Sequence, residues 1–286
     1  MSTPQGKTEQ WKAGVRQEFT EVAAAWRTWH PHFAAQSRAT SEAIVRAAQV
    51  TPGMHVLDLA SGTGEPALTL ALAVAPEGSV TATDLVPEML AIAADNAEQS
   101  HVTNLTFQQA DAEALPFPAQ SFDVVTCRFG VMFFPNVAQA FAEIARVLKP
   151  GGRVAFLAQG PLAQNPWQAS IVEVLRRYVQ IPPPEAGAPH GLRFAQPGTL
   201  AQALRNAGFR HVHEESQTIA WQWPGTPEQF WTFRCDTGSL IRQYLAHLSL
   251  VSQTSVIQEV IASIGTYYDG QQVRFTAGVV IASGIR

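Results

Sequence analysis

Two acids at the ends of apolar runs, joined through a loop of small residues, carry the most legible chemistry in this chain. In VLDLASGTGEP (56–66) an apolar run holds Asp58 and passes through Ala60, Ser61, Gly62, Thr63 and Gly64 into a helix-like apolar stretch. A second run, SVTATD, ends in Asp84. Glycines let backbone approach a ligand closely, and an acid at the tip of the second strand can hold a ribose diol. This is how an α/β protein builds a nucleotide site. Gly62, Gly64 and Ala67 fit G-x-G-x-x-A, with Asp84 twenty residues beyond Gly64, so a dinucleotide site is one reading. An ordinary strand–turn–helix corner is the plain alternative.

The elements that must position these residues alternate. Strands are expected at 54–59, 79–84, 104–110, 122–127 and 152–158, with helices at 65–75, 87–99 and 136–148. Pro87 suits the first turn of its helix, and Lys149-Pro150-Gly151-Gly152 forms a stop before the fifth strand. Such alternation implies a parallel, doubly wound Rossmann-like sheet. Upstream, Trp11, Val15, Phe19, Val22, Trp26 and Trp29 recur at three- and four-residue steps, predicting a helix over 8–30 that His30-Pro31 ends. A second helix is expected over 38–49. Downstream come a helix at 166–180, the Pro/Gly-rich loop IPPPEAGAPHG, a helix at 197–207 and a strand at about 211–222. Two helices divided near 249–252 are expected within 226–267, then a closing strand at about 272–283. The last two strands suit an antiparallel pair.

The span from Asp58 to Gly64 resembles the D-x-G-x-G-x-G loop of class I S-adenosylmethionine (SAM) methyltransferases, with Ala60 in place of the first glycine, whose methyl should narrow the loop. TATDLVPEML, QQADAEALPF, FDVVTCRFGVMFFPN, LKPGGRVAF and PLAQNPW extend the resemblance to the UbiE-like (type 11) group over roughly residues 15–215. The resemblance implies a seven-stranded sheet whose seventh strand runs against the others, with N-terminal helices and helical lid insertions. It implies SAM as cofactor, held by Asp58, Ala60, Ser61, Gly62 and Gly64, with Asp84 on the ribose and Leu85 and Met89 against adenine. Asp111 would meet the adenine amino group with the Ala112 N–H facing the ring, and Glu113 beside them; Cys127 and Arg128 would line the methionine part. One domain is expected over 1–286: an N-terminal lid (1–50), a SAM-binding core (51–160), a lid insertion (161–196) and a C-terminal part (197–286) with the helical insertion 226–267.

Composition narrows the function classes. Apolar residues make up 46% and charged residues 15%, as in a globular chain rather than a disordered one. A net charge of −4 without a Lys/Arg cluster argues against a nucleic-acid partner. Residues 1–14 lack an apolar signal core, and the longest apolar runs are too short to span a bilayer, so a cytoplasmic setting is expected. Two distant cysteines, Cys127 and Cys235, with no ligand spacing predict neither zinc nor a disulfide framework.

With SAM, the chemistry is an in-line methyl displacement to a small acceptor, and the protein's main contribution is to position two reactants. A general base is needed only if the acceptor loses a proton. His190, in the Pro/Gly-rich loop, and His30 are the candidates; a solvated histidine is the bland reading of each. Trp29, Phe133, Phe194 and His190 fall in segments that should roof the acceptor, with Phe134, Trp26 and Trp231 nearby; aromatics at helical spacing also serve as core. An apolar, aromatic pocket suits a planar or hydrophobic molecule. The alternatives are an NAD(P)-dependent oxidoreductase, for which no Tyr-x-x-x-Lys pair is present, and a SAM-binding protein without turnover.

Overall fold

The computed structural model describes residues 4–286. Residues 1–3, the start of the expected N-terminal lid, lie outside the described residues. Five strands, β1 (His55–Leu59), β2 (Ser79–Asp84), β3 (Leu105–Gln109), β4 (Phe122–Arg128) and β5 (Leu148–Gln159), pair in parallel. Two more, β6 (Arg210–Trp223) and β7 (Val273–Ile285), complete a sheet ordered β3-β2-β1-β4-β5-β7-β6. β7 runs antiparallel to both its neighbours, as expected for the Rossmann-like methyltransferase sheet. The chain builds outward from β1 to β3, then returns to place β4 on the other side of β1. The crevice above the carboxyl ends of β1 and β4 is thus the switch point where ligands of such sheets bind.

The central strands are buried on both faces, which is why they read as continuous apolar runs. On one face Leu57, Val125 and Phe156 pack under α4 (Val137–Val147) and α6 (Thr199–Asn206). On the other, Val56, Val80 and Val124 pack under α2 (Ala67–Val74), α3 (Pro87–Gln99) and the end of α1 (Pro4–Ala48). The β6 strand at the edge alternates in exposure along its length. Among the described residues, no helix is long and apolar enough to cross a membrane.

α1 corrects an expectation. It is one helix of 45 residues that runs through Pro31, not two helices parted by it. An interior proline costs a helix roughly 3 kcal/mol, but packing on both sides of Pro31 outweighs this. Before and just beyond it, Trp26, Trp29 and Phe33 join an aromatic cluster with Trp223 and Phe233; further on, Ala43, Ile44 and Ala48 enter the core beneath the sheet. The 226–267 segment holds three helices rather than two: α7 (Pro227–Thr237), α8 (Ser239–Ala246) and α9 (Leu250–Gly265). The unforeseen break is at Gly238, where a Cβ would lie 2.8 Å from the Arg234 carbonyl oxygen. α5 (Pro166–Leu175) is shorter than the 166–180 expected. β5 begins at Leu148, so the Pro-Gly-Gly stop sits inside the strand as an irregularity opposite Phe122 and Val124.

The loops that leave β1 and β4 touch, and their contact shapes the crevice. Ala60 has φ +52°, in the left-handed region that glycine occupies freely. Its methyl group has room because Gly130 faces it: a Cβ on Gly130 would lie 2.4 Å from Ala60 Cβ and 2.7 Å from Cys127 Sγ. Gly130 itself is right-handed (φ −98°, ψ −39°), so the constraint there is space, not backbone conformation. Gly130→Ala is therefore expected to cost about 1–3 kcal/mol by overpacking, read by urea unfolding. Ala60→Gly in the same chain should recover part of the loss, the Cys127 contact remaining; strict additivity of the two changes would contradict the contact.

Candidate functional site

The loop after β1 is held from beneath. Ser61 N–H donates to the Thr83 carbonyl (2.9 Å), Ser61 and Thr83 hydroxyls donate to the Asp58 carbonyl, and Asn96 donates to the Thr63 carbonyl (2.8 Å). Asp84, at the tip of β2, accepts the Gly62 N–H on Oδ2 (2.9 Å) and the Val86 N–H on Oδ1 (2.9 Å). A carboxylate oxygen has more than one acceptor site, so both oxygens can still accept from a diol. Burial pushes the Asp84 carboxyl up, and the backbone N–H groups of Val86, Gly62 and Leu85 draw it back.

Above this floor lies a cavity of about 660 Å³, within the roughly 300–1,000 Å³ typical of small-molecule sites. Ala60, Ser61, Gly62, Asp84, Leu85 and Met89 line one end, with Asp111 and Ala112 beside them. Phe133 and His190 also line it, as do Trp26 and Phe134. The far end is walled by Trp167, Ile171, Trp221, Phe233, Arg234 and Tyr244, from α5, β6, α7 and α8. The cavity thus joins a polar end, built by strand tips, to an apolar and aromatic end built by the inserted helices.

Several singled-out residues lie outside this lining. Asp58 is fully buried under the loop: its Oδ1 accepts from Thr126 (2.6 Å), while Oδ2 has no hydrogen-bond partner. Gly64, at φ +112°, turns the chain into α2, and a Cβ there would press on Leu68 at 3.3 Å. Cys127 is buried, and burial pushes its thiol well above the ordinary range, which disfavours it as a nucleophile. His30 sits behind the loop with Nδ1 3.2 Å from Thr63 Oγ1. Trp29 faces away, donating to Asp236 (2.9 Å) and packing on Trp223 and Phe233. Phe194 is buried in the core with Leu200 and Phe141. Trp231 is buried in the helical cluster.

Arg128 borders the cavity but is spent on architecture. Its guanidinium donates to Thr40 Oγ1 (3.2 Å) and to the Glu65 carbonyl (2.8 Å), and lies 5.6 Å from the ring centres of Phe33 and Phe129. It ties α1 to the loop after β1. Lys12 ties the other end of α1 to the loop after β3: Nζ is 2.7 Å from Asp111 and 2.8 Å from Glu113. Burial alone would lower the Lys12 pKa, but these two carboxylates hold it above the ordinary lysine range. Glu113 also accepts the Asn136 N–H, and Asp111 the Glu113 N–H. The sequence carries a signal for Lys12 in its spacing. Lys12, Val15, Phe19, Trp26 and Phe33 form one stripe at steps of three, four and seven residues, and that stripe faces the cavity. Trp29 lies off it.

The described residues contain no group of three His, Cys, Asp or Glu side chains able to hold a metal ion. The two-point seat of Asp84 and the apolar side chains of Leu85 and Met89 together suit a ligand with a diol and a flat apolar part.

Known proteins carry the same frame. A family described as a methyltransferase domain matches residues 57–156. A demethylmenaquinone methyltransferase of Deinococcus radiodurans is 37% identical over 185 residues, covering 60% of this chain and 74% of that one. A ubiquinone/menaquinone biosynthesis C-methyltransferase, UbiE, of Shewanella pealeana is 32% identical, covering 61% and 73%. Among solved structures, the YcgJ protein of Bacillus subtilis superposes with a TM-score of 0.55 at 22% identity, covering 87% of this chain and 98% of that one, a likeness of fold.

The orphaned carboxyl under the loop has a consequence for stability. Burial pushes Asp58 up to about 7, against the Thr126 hydrogen bond and the charge of Arg128. Between the ordinary carboxylate value of 3.8 and about 7, the native protein binds more protons than the unfolded chain. Stability must therefore fall as pH rises through that window and level off above it. The melting temperature of ligand-free protein is expected to drop from about pH 5 to about pH 8, and Asp58→Asn to flatten that drop. Equal slopes in the two proteins would contradict the assignment.

Proposed function

This chain belongs to the UbiE-like group of class I SAM-dependent methyltransferases, and from that premise we propose that it methylates a small apolar or aromatic acceptor held at the far end of the cavity. One observation carries the reading. A single cavity runs from Asp84 and the glycine loop to Trp167, Trp221 and Phe233, so cofactor and acceptor can meet without crossing solvent. The names of the two relatives give quinone-pathway acceptors, which supports a planar ring as the acceptor class. We extend the proposal to the whole chain as one catalytic unit, with α1 and the 161–196 and 226–267 segments as its cover.

SAM, when bound, supplies an electrophilic methyl group on a sulfonium. The chain's own residues do the positioning. Asp84 accepts from the ribose hydroxyls, and Leu85 and Met89 flank the adenine. Asp111 and the Ala112 N–H meet the edge of that ring. Ala60, Ser61 and Gly62 bring backbone close, Gly64 turns the loop into its helix, and Asp58 supports that loop from beneath, its carbonyl taking the Ser61 and Thr83 hydroxyls. Cys127 and Arg128 shape that end from behind, Arg128 by bracing α1. Lys12 closes the cover over Asp111 and must yield for exchange of the nucleoside.

His190 borders the acceptor end, and its backbone N–H donates to the Met132 carbonyl. Burial, with Arg193 nearby, lowers its pKa below the ordinary 6.5, so at neutral pH it is uncharged and able to take a proton from an acidic O–H or C–H of the acceptor. Phe133 flanks it. His30, Trp29 and Phe194 act one layer out, by packing and by holding Thr63. Closure over the acceptor excludes water, which strengthens every electrostatic contact inside.

Titration calorimetry with S-adenosylhomocysteine (SAH) tests the cofactor assignment. Wild-type protein is expected to bind, NADH to give no heat, and Asp84→Ala to weaken binding about 10- to 100-fold with its circular dichroism unchanged. NADH binding, or SAH binding indifferent to Asp84→Ala, would contradict it.

A further inference from the structure

Three strong cations border the cavity, and they are not in equivalent states. Lys12 is paired with Asp111 and Glu113, and Arg128 is hydrogen-bonded to Thr40 and Glu65. Arg234, on α7, has no ion-pair or hydrogen-bond partner among the described residues, and its Nε is buried without one. Its guanidinium carbon lies 4.9 Å from the ring centre of Trp167 and 5.9 Å from that of Phe233. The neighbouring acid, Asp236, is engaged by the Trp29 indole. Trp167 stacks in turn on Trp221, 5.2 Å between ring centres at 25°.

Arg234 is half-buried, with its Nε buried; a charge partly withdrawn from water without a partner weakens a fold, and an apolar side chain of similar length would pack against these rings at less cost. Burial pushes Arg234 down to about 10, so it remains charged at neutral pH. It stands among the inserted helices α5 and α7, not on the strand-tip loops that face the nucleoside. A planar guanidinium fork matches a carboxylate in two-point contact.

We propose that Arg234 recognises a carboxylate carried by the methyl acceptor, so that the substrate is an aromatic or apolar monocarboxylate rather than a neutral ring. The proposal rests on the methyl-transfer reading of the cavity. One unpaired cation in an apolar compartment balances one negative charge; a phosphate dianion would leave a second one buried. The ring of such an acceptor lies against the Trp167–Trp221 pair while its acid group meets Arg234.

The test uses SAH-saturated protein and calorimetry with 1-naphthoate, 1-naphthamide and 1-naphthyl phosphate as probes. Wild type is expected to bind the carboxylate at least about 10-fold more tightly than the amide. Arg234→Met, which keeps side-chain length and removes charge, should bring the carboxylate down to the level of the amide while SAH affinity stays unchanged. A carboxylate held no more tightly than the amide, including no binding of either, overturns the proposal. So does a preference that survives in Arg234→Met, or a phosphate bound more tightly than the carboxylate. If Arg234→Met instead weakens SAH, the guanidinium serves the cofactor's own carboxylate and the proposal falls. Wild type that fails to bind SAH, seen before any probe is added, overturns the cofactor reading and this proposal with it.

Discussion

The structure turns on the two-point seat of the Asp84 carboxylate. One oxygen takes the Gly62 N–H and the other the Val86 N–H. The first bond clamps the loop after β1 to the tip of β2; the second fixes the turn into α3. Without it the loop would lose the anchor that aims its backbone into the crevice. The seat also explains why an acid, and not an amide, suits the position: both incoming groups are donors, and an amide nitrogen would oppose one of them. Beneath it, the Asp58 carbonyl gathers the Ser61 and Thr83 hydroxyls, so the tips of the two strands are tied to each other.

The rest of the molecule completes a space that the sheet only begins. α1 crosses the crevice and is pinned twice, by Lys12 near one end and by Arg128 through Thr40 near the other. Between those pins its aromatic residues enter the cluster of Trp223, Phe230 and Phe233. The cover is therefore not a loose flap over a finished site. It supplies one wall of the cavity, and the inserted helices α5, α7 and α8 supply another. The apolar end of the cavity is built by those insertions, whereas its polar end is built from strand tips.

That division also governs what was legible in the sequence. β1 to β5, Asp84 and Asp111 could be read because each element carries local punctuation, such as Pro87 or Lys149-Pro150-Gly151-Gly152, and each acid sits at a strand tip. The continuity of α1 could not, since Pro31 signals a stop that only contacts far along the chain overrule. Ala60 was expected to narrow its loop; its left-handed φ and the matching gap at Gly130 depend on a residue seventy positions away. Trp29 and Phe194 are aromatic like Trp26 and Phe133, and no local signal separates a ring in the packing from a ring at the cavity. Arg234 looks like any helical arginine until Trp167 and Phe233 are seen around it with no acid facing it.

The central claim is that one cavity holds cofactor and acceptor end to end, with the nucleoside on Asp84 and the reacting centre toward the aromatic wall. The most direct measurement is a crystal structure of the SAH complex. The account predicts the ribose hydroxyls within hydrogen-bond reach of both Asp84 oxygens, the adenine between Leu85 and Ala112, and the sulfur turned toward Trp167 and Trp221. A nucleoside seated elsewhere, or a sulfur turned away from the aromatic end, would contradict it.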